Sequence, residues 1–207
     1  MGSEKRLDSE MWYTRTSLEQ WRLTAEDTSG GLANEERTTA MEKAVPTPDT
    51  SDILLRDVMS SDLPIFFDQQ LDPDANHMAA FTAKDPSDRD AFMARWIRML
   101  GDETITIQTI LFDGQVAGSV LSYEDEDERP EVSYWIGKPY WGKGVATRAL
   151  SAFLKHIEVR PLYARAAKDN LASLRVLEKC GFARIGEDKG FANARSEEIG
   201  EFMLRLD

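Results

Sequence analysis

The 207-residue sequence has little of the chemistry that marks several functional classes. It holds one cysteine, Cys180, and two histidines, His77 and His156. A single thiol excludes an intrachain disulfide framework and a cysteine-based metal cluster. Two distant histidines would leave carboxylates to supply most ligands of a zinc site, so no metal is expected. Long apolar runs are missing as well. The longest stretch without a charged residue, 114–123, is ten residues, against roughly 20 for a helix that spans a bilayer. The opening decapeptide MGSEKRLDSE lacks the apolar core of a secretory signal, so a cytoplasmic protein with no membrane partner is expected. Positive charge is also scarce, with 25 Lys and Arg against 37 Asp and Glu and a net charge of −12. Phosphate neutralisation needs a dense basic surface, so the balance argues against nucleic acid as a partner.

What is present divides near residue 52. The first 52 residues carry 11 acids against six bases and two loop signals, Ser29-Gly30-Gly31 and Val45-Pro46-Thr47-Pro48. Their large apolar groups gather early, at Trp12, Tyr13, Leu18, Trp21 and Leu23. This segment reads as an N-terminal extension, partly docked or mobile, before a domain spanning 53–207.

From Ile53 the pattern is regular. Ile53-Leu54-Leu55 predicts a short strand. Ser61 and Asp62 are placed to cap a helix through Gln70, and Ser87 and Asp88 a second through Leu100, with Phe92, Trp96 and Met99 on one face. Residues 104–112 and 115–123 are β-rich around Asp113-Gly114, the dipeptide of a tight hairpin. Five consecutive acids, Glu124 to Glu128, predict a solvated loop before a strand over 131–136. Val145, Ala149, Phe153 and Ile157 form the apolar stripe of a helix. A strand from Leu162, a helix capped by Asp169 or Asn170 and ended by Gly181, and two β segments (182–188 and 198–206) complete the chain. The predicted order, β-α-α-β-β-β-α-β-α-β-β, is a mixed α/β domain.

The passage with most chemical content runs from Glu131 to Leu150, where a strand leads through Gly142 and Gly144 straight into a helix. Glycines let backbone approach an anion closely, and the first N–H groups of a helix have no partner within it. Lys143 and Arg148 add positive charge. Gly137 to Lys143 reads G-x-x-x-x-G-K, but Gly144 stands where a P-loop needs the magnesium-binding Ser or Thr. A dinucleotide fingerprint counted from Gly142 fails at Thr147, where the third glycine belongs.

Trp141-Gly142-Lys143-Gly144-Val145-Ala146 resembles the pyrophosphate loop of the GNAT superfamily of acyl-CoA N-acetyltransferases. Asn170, Ser173, Lys179, Gly181 and Phe182 resemble the second half of that family's cofactor site, Asn-x-x-Ser followed by Lys-x-Gly-Phe. The motifs stand in the right order over roughly 53–206. Trp141 replaces the usual Gln or Arg and is similar to the branch of ribosomal-protein-alanine N-acetyltransferases. The resemblance implies a mostly antiparallel sheet with splayed central strands flanked by helices, and acetyl-CoA as donor substrate. The backbone of Tyr134, Trp135 and Ile136 would then pair with the pantetheine arm. Trp141 and the N–H groups from Gly142 through Lys143, Gly144, Val145, Ala146 and Thr147 would take the pyrophosphate, and Asn170 and Ser173 would close the arm from the other side.

Transfer to an amine needs a base and a proton for the departing thiolate. Glu131 starts the strand beside the cofactor and shares a face with Ser133 and Trp135, which makes it the candidate base. The tyrosine that many members use as the acid is replaced by Leu177, leaving Ser173 as the candidate. The acceptor walls are expected at Asn76, His77 and Phe81, between the first two helices, and at Phe191, between the last two β segments, with Glu131 between them. The reading is an N-acetyltransferase acting directly on a primary amine, with a small molecule preferred. A protein N-terminal acetyltransferase and a non-catalytic CoA-binding sensor stay open, as does a homodimer.

Overall fold

A computed structural model of the protein describes residues 52–125 and 127–207. The predicted features of the first 51 residues, the tryptophan-bearing segment among them, lie outside the described residues. β1 (Ile53–Asp57) is followed by three helices, α1 (Leu63–Gln70), α2 (Pro73–Ala79) and α3 (Arg89–Leu100). β2 (Thr106–Phe112), β3 (Gln115–Glu124) and β4 (Pro130–Ile136) then lead to α4 (Val145–Phe153). β5 (Leu162–Ala167), α5 (Leu171–Lys179), β6 (Ala183–Ala192) and β7 (Glu197–Leu206) complete the fold. One helix exceeds the predicted order. Residues 73–79 lack an apolar stripe, but Asp72 caps them by accepting from Ala75 N at 2.9 Å, and Pro73 sits at the first helical position.

Local chemistry explains the other boundaries. Asp113 and Gly114 have φ of 51° and 75°, the left-handed pair of a two-residue hairpin, and Phe112 pairs with Gln115 across it. Asp88 caps α3 through Ala91 N at 2.9 Å, as its position predicts. Asp62 does not cap α1. Its buried carboxylate takes both guanidinium arms of Arg56 (2.6 and 2.8 Å), Thr109 Oγ1 (2.6 Å) and Met59 N (2.9 Å). Burial pushes this carboxyl up, but those donors outweigh burial and hold it below the usual aspartate range. α4 ends four residues before Ile157, in tightened turns where Lys155 N and His156 N reach back only to Ala152 O and Phe153 O. Ile157 still packs on the core.

Among the described residues, seven strands form one sheet in the order β1-β2-β3-β4-β5-β7-β6. Every neighbouring pair is antiparallel except β4 and β5, which run parallel and are paired only at Glu131 and Tyr163. The two faces have separate cores. Val132, Ile136, Val145, Ala149, Leu150, Phe153, Leu174 and Leu177 join α4 and α5 to one face. On the other, Phe66 stacks on Trp96 at 4.8 Å and Phe67 meets Phe92 edge-on at 5.2 Å, which seats α1 and α3 against Ile107 and Val116.

Candidate active site

The single parallel pairing of β4 and β5 leaves a seam in the middle of the sheet. A cavity of about 70 Å³ sits in it, lined by Glu131, Val132, Ser133, Tyr134, Ala164, Arg165, Ser173 and Leu177. Strand alternation sends Glu131, Ser133 and Trp135 to one face of β4 and Val132, Tyr134 and Ile136 to the other. The seam therefore brings side chains from both faces to one cavity. β4 is held firmly on its far side: a Cβ on Gly118 would lie 1.9 Å from Trp135 O, so only glycine permits that approach.

Beyond the C-terminal end of β4, a 3-10 turn (Lys138–Tyr140) leads to Gly142 and Gly144, at φ 74° and 72°. Gly144 is the N-cap of α4, and a Cβ at either glycine would meet nothing within 4 Å. The first N–H to bond within the helix is that of Arg148, to Gly144 O at 3.1 Å. The N–H groups of Val145, Ala146 and Thr147 thus stand at an open helix start with its positive dipole end. Lys143 Nζ lies 5.8 Å from the ring centres of Phe112 and Tyr140, and the Arg148 guanidinium 5.5 Å from Phe112. Aromatic rings so keep two cations beside the loop. Trp141 Nε1 donates to Ile136 O at 2.8 Å, so this carbonyl, expected to face a cofactor arm, already holds the indole.

α5 approaches the seam from the first face. Asn170 caps it by accepting from Ser173 N at 3.0 Å, while its Nδ2 donates to Met78 O at 2.9 Å. One amide therefore joins the start of α5 to the end of α2. Asp169, the alternative cap, pairs with Arg195 instead. Ser173 Oγ lies 2.8 Å from the hydroxyl of Tyr134, beside Leu177 in the cavity lining. Burial pushes the Tyr134 phenol up to about 12, and the Ser173 hydrogen bond pulls the other way.

Glu131 reaches the cavity from the opposite face and is 6% exposed. Burial pushes its carboxyl up to about 7, with Arg165 opposing and Asp125 and Glu201 adding to the rise. Arg165 Nε lies 3.7 Å from Glu131 Oε2, and its Nη1 is 3.2 Å from both Glu201 Oε1 and Asp188 Oδ2. The Tyr123 phenol, paired across the sheet with Glu131, is raised by burial and then by that carboxylate. Nothing in the sequence singles out Arg165, Glu201 or the side chain of Tyr134. Arg165 and Glu201 lie on strands whose alternation places them on the Glu131 face, but only the order β4-β5-β7 makes them neighbours.

The predicted acceptor walls meet each other. The β6–β7 hairpin stays paired out to Ala192 and Glu197, so Phe191 lies within β6, not between strands, and is 56% exposed. At the tip, Arg195 Nε donates to His77 O (2.9 Å), Asn193 Nδ2 to Thr82 O (2.8 Å) and Ala194 N to Ala80 O (3.2 Å). Arg195 also forms a two-pronged pair with Asp169 at 2.6 and 3.1 Å. Asn76 is buried and its amide donates to Gln70 O and to Asp72 O (3.1 Å), so its side chain holds the α1–α2 junction. The His77 side chain is exposed, and Phe81 packs with Ala80, Ala167, Ala192 and Ile199. Cys180 is half-buried, 3.6 Å from Thr147 O.

Residues 52–183 match the family model described as "Acetyltransferase (GNAT) domain". The chain is 28% identical over 136 residues to the putative ribosomal N-acetyltransferase YdaF of Bacillus subtilis (strain 168), covering 60% of this chain and 74% of that protein. Among solved structures it is similar to Mycobacterium smegmatis RimJ in complex with CoA-disulfide (TM-score 0.62, 20% identity, 74% of this chain and 81% of that one). It is also similar to the microcin C7 self-immunity acetyltransferase MccE in complex with acetyl-CoA and AMP (TM-score 0.62, 17% identity, 74% and 91%). The matched residues include β4, the glycine loop and α5, and the chain belongs to the GNAT family of acetyl-CoA-dependent N-acetyltransferases.

Proposed function

We propose that residues 53–207 form the catalytic domain of an enzyme that acetylates the primary amine of a small molecule, with the first 52 residues as an appendage. The reading rests on one observation: a buried carboxylate, Glu131, lines a cavity in the weakly paired seam of the sheet, one strand length from an open helix start. The N–H groups from Gly142 to Thr147 take the donor's pyrophosphate, and the backbone edge of β4 along the seam takes its pantetheine arm as an added strand would. An N–H near Trp135 polarises the thioester carbonyl. The amine arrives as an ammonium ion, drawn by Glu131, Glu201 and Asp188, and Glu131 removes the proton that blocks attack.

The bonded acceptor walls support a small amine, because three hydrogen bonds tie the hairpin tip to residues 77–82, the two segments expected to hold the acceptor. The name of the Bacillus subtilis relative favours a second reading, in which the acceptor is the N-terminus of a ribosomal protein. Thiol release from acetyl-CoA over a panel of small amines and peptide N-termini, in wild type and Glu131→Gln, tests both. Turnover of small amines that falls about 10²-fold or more in the variant is the expected result. CoA binding without turnover of any amine would leave only a CoA sensor.

A further inference from the structure

Loss of the thiol leaves a thiolate that needs a proton, and Leu177 stands where a tyrosine would supply it. The cavity nevertheless contains a phenol. Tyr134 enters it from β4, on the strand face opposite Glu131, and its hydroxyl lies 2.8 Å from Ser173 Oγ on α5. Tyr134 packs against the α4–α5 core beside Leu177, so the ring is fixed and its hydroxyl is the one polar group it carries into the seam. Base and phenol therefore flank the seam from opposite faces of one strand, three residues apart.

We propose that Tyr134 is the general acid of the transfer, with Ser173 as its positioning residue; this rests on the acetyl-transfer reading above. The amine nitrogen bonds to the thioester carbonyl carbon, and the C–S bond then breaks with its electron pair leaving on sulfur. The Tyr134 proton passes to that sulfur as CoA thiol forms. As the C–S bond breaks, the new amide nitrogen gives up its second proton to solvent. The Ser173 hydroxyl donates to the resulting phenolate oxygen, and the phenolate recovers a proton from solvent. Of the two protons the ammonium sheds, one is thus balanced by the proton on sulfur and one is released. A phenol holds its proton at neutral pH, burial raises it further, and the Ser173 hydrogen bond opposes that rise by favouring the ionised form that the transfer leaves behind. Leu177 is then no defect, because its apolar side chain leaves room for a hydroxyl delivered from the strand.

Tyr134→Phe removes one oxygen and keeps the packed ring. With acetyl-CoA, kcat should fall about 10²-fold with CoA affinity, measured by calorimetry, unchanged. With S-acetyl-p-nitrothiophenol, whose thiolate leaves without needing a proton, wild type and variant should have nearly equal kcat/KM. Ser173→Ala should lose less than Tyr134→Phe with acetyl-CoA, and nothing further in the Tyr134→Phe background. Glu131→Gln, run alongside, should be impaired with both donors. Equal loss of the Tyr134 variant on both donors, or no loss on either, overturns Tyr134 as the acid while an impaired Glu131 variant leaves the acetyl-transfer reading standing. A Ser173 variant impaired only with acetyl-CoA, beside a fully active Tyr134 variant, assigns the acid to Ser173 instead. An unimpaired Glu131→Gln rejects the base itself, whatever Tyr134 does.

Discussion

Arg165 Nε lies 3.7 Å from the buried Oε2 of Glu131. The same guanidinium binds Glu201 and Asp188 more closely, so one cation balances three carboxylates, and Glu131 holds the loosest share. Asp125 and Arg129, from the loop before β4, complete the charges that act on it.

That arrangement fixes a signed pH dependence. A base must be ionised to act, and burial sets Glu131 near 7, so kcat/KM should fall as pH drops below about 7. Arg165→Met removes the cation that lowers the Glu131 pKa and should move this limb to higher pH. Glu201→Gln removes a like charge and should move it to lower pH. Rate profiles of the three proteins check the sign, and parallel shifts in both variants would contradict it. Stability carries the opposite trend from this group. The folded carboxyl holds its proton more tightly than the unfolded one, so its contribution is full below about 4.5 and declines as pH rises through about 7. Denaturant unfolding at pH 5 and pH 8 should show Glu131→Gln gaining stability relative to wild type at the higher pH.

Gly142 and Gly144 test the anion loop. Both have φ above 70°, where a side chain strains the backbone by roughly 1–2 kcal/mol, and a Cβ on either would meet no protein atom within 4 Å. Gly144→Val should therefore weaken CoA binding tenfold or more in calorimetry while thermal unfolding moves by only a few degrees. Lys143→Ala should weaken it less, with a loss that shrinks as salt rises.

Arg195 holds the hairpin tip to α2 and to Asp169. Its side chain is only 7% exposed, so the pair is shielded on one side. Arg195→Ala should release the tip, raise KM for small amines several-fold and increase the rate with peptide N-termini. A variant with an unchanged acceptor profile would show that the bonded walls do not select the acceptor.

Much of the fold is legible in the amino-acid order, and the parts that are not share a cause. The hairpin at Asp113-Gly114, the caps at Asp88 and Asn170 and the glycine loop all depend on residues within a few positions of one another, where backbone preference decides. α2 escapes a periodicity reading because its seven residues lack an apolar stripe and owe their helix to Asp72 and Pro73. Asp62 has the position of a cap but is claimed by Arg56 and Thr109, and Thr109 is 47 residues away. Asn76 has the polarity of an acceptor-facing residue, yet a buried amide must satisfy its donors, and nearby carbonyls of the α1–α2 turn do so. The carboxylates around Arg165 come from β4, β6 and β7, and no local pattern announces a neighbourhood made by strand order.

The seam has a mechanical meaning as well as a chemical one. Four strands stand on one side of it and three on the other, joined within the sheet by a single residue pair, Glu131 with Tyr163. Without donor, the two blocks should open independently and exchange amide hydrogens at different rates. A pantetheine arm bonded to both lips would act as a staple between them. Saturating CoA should then raise protection not only on β4 and β5 but also on β3 and β7, which lie outside the seam, and merge the two exchange classes into one.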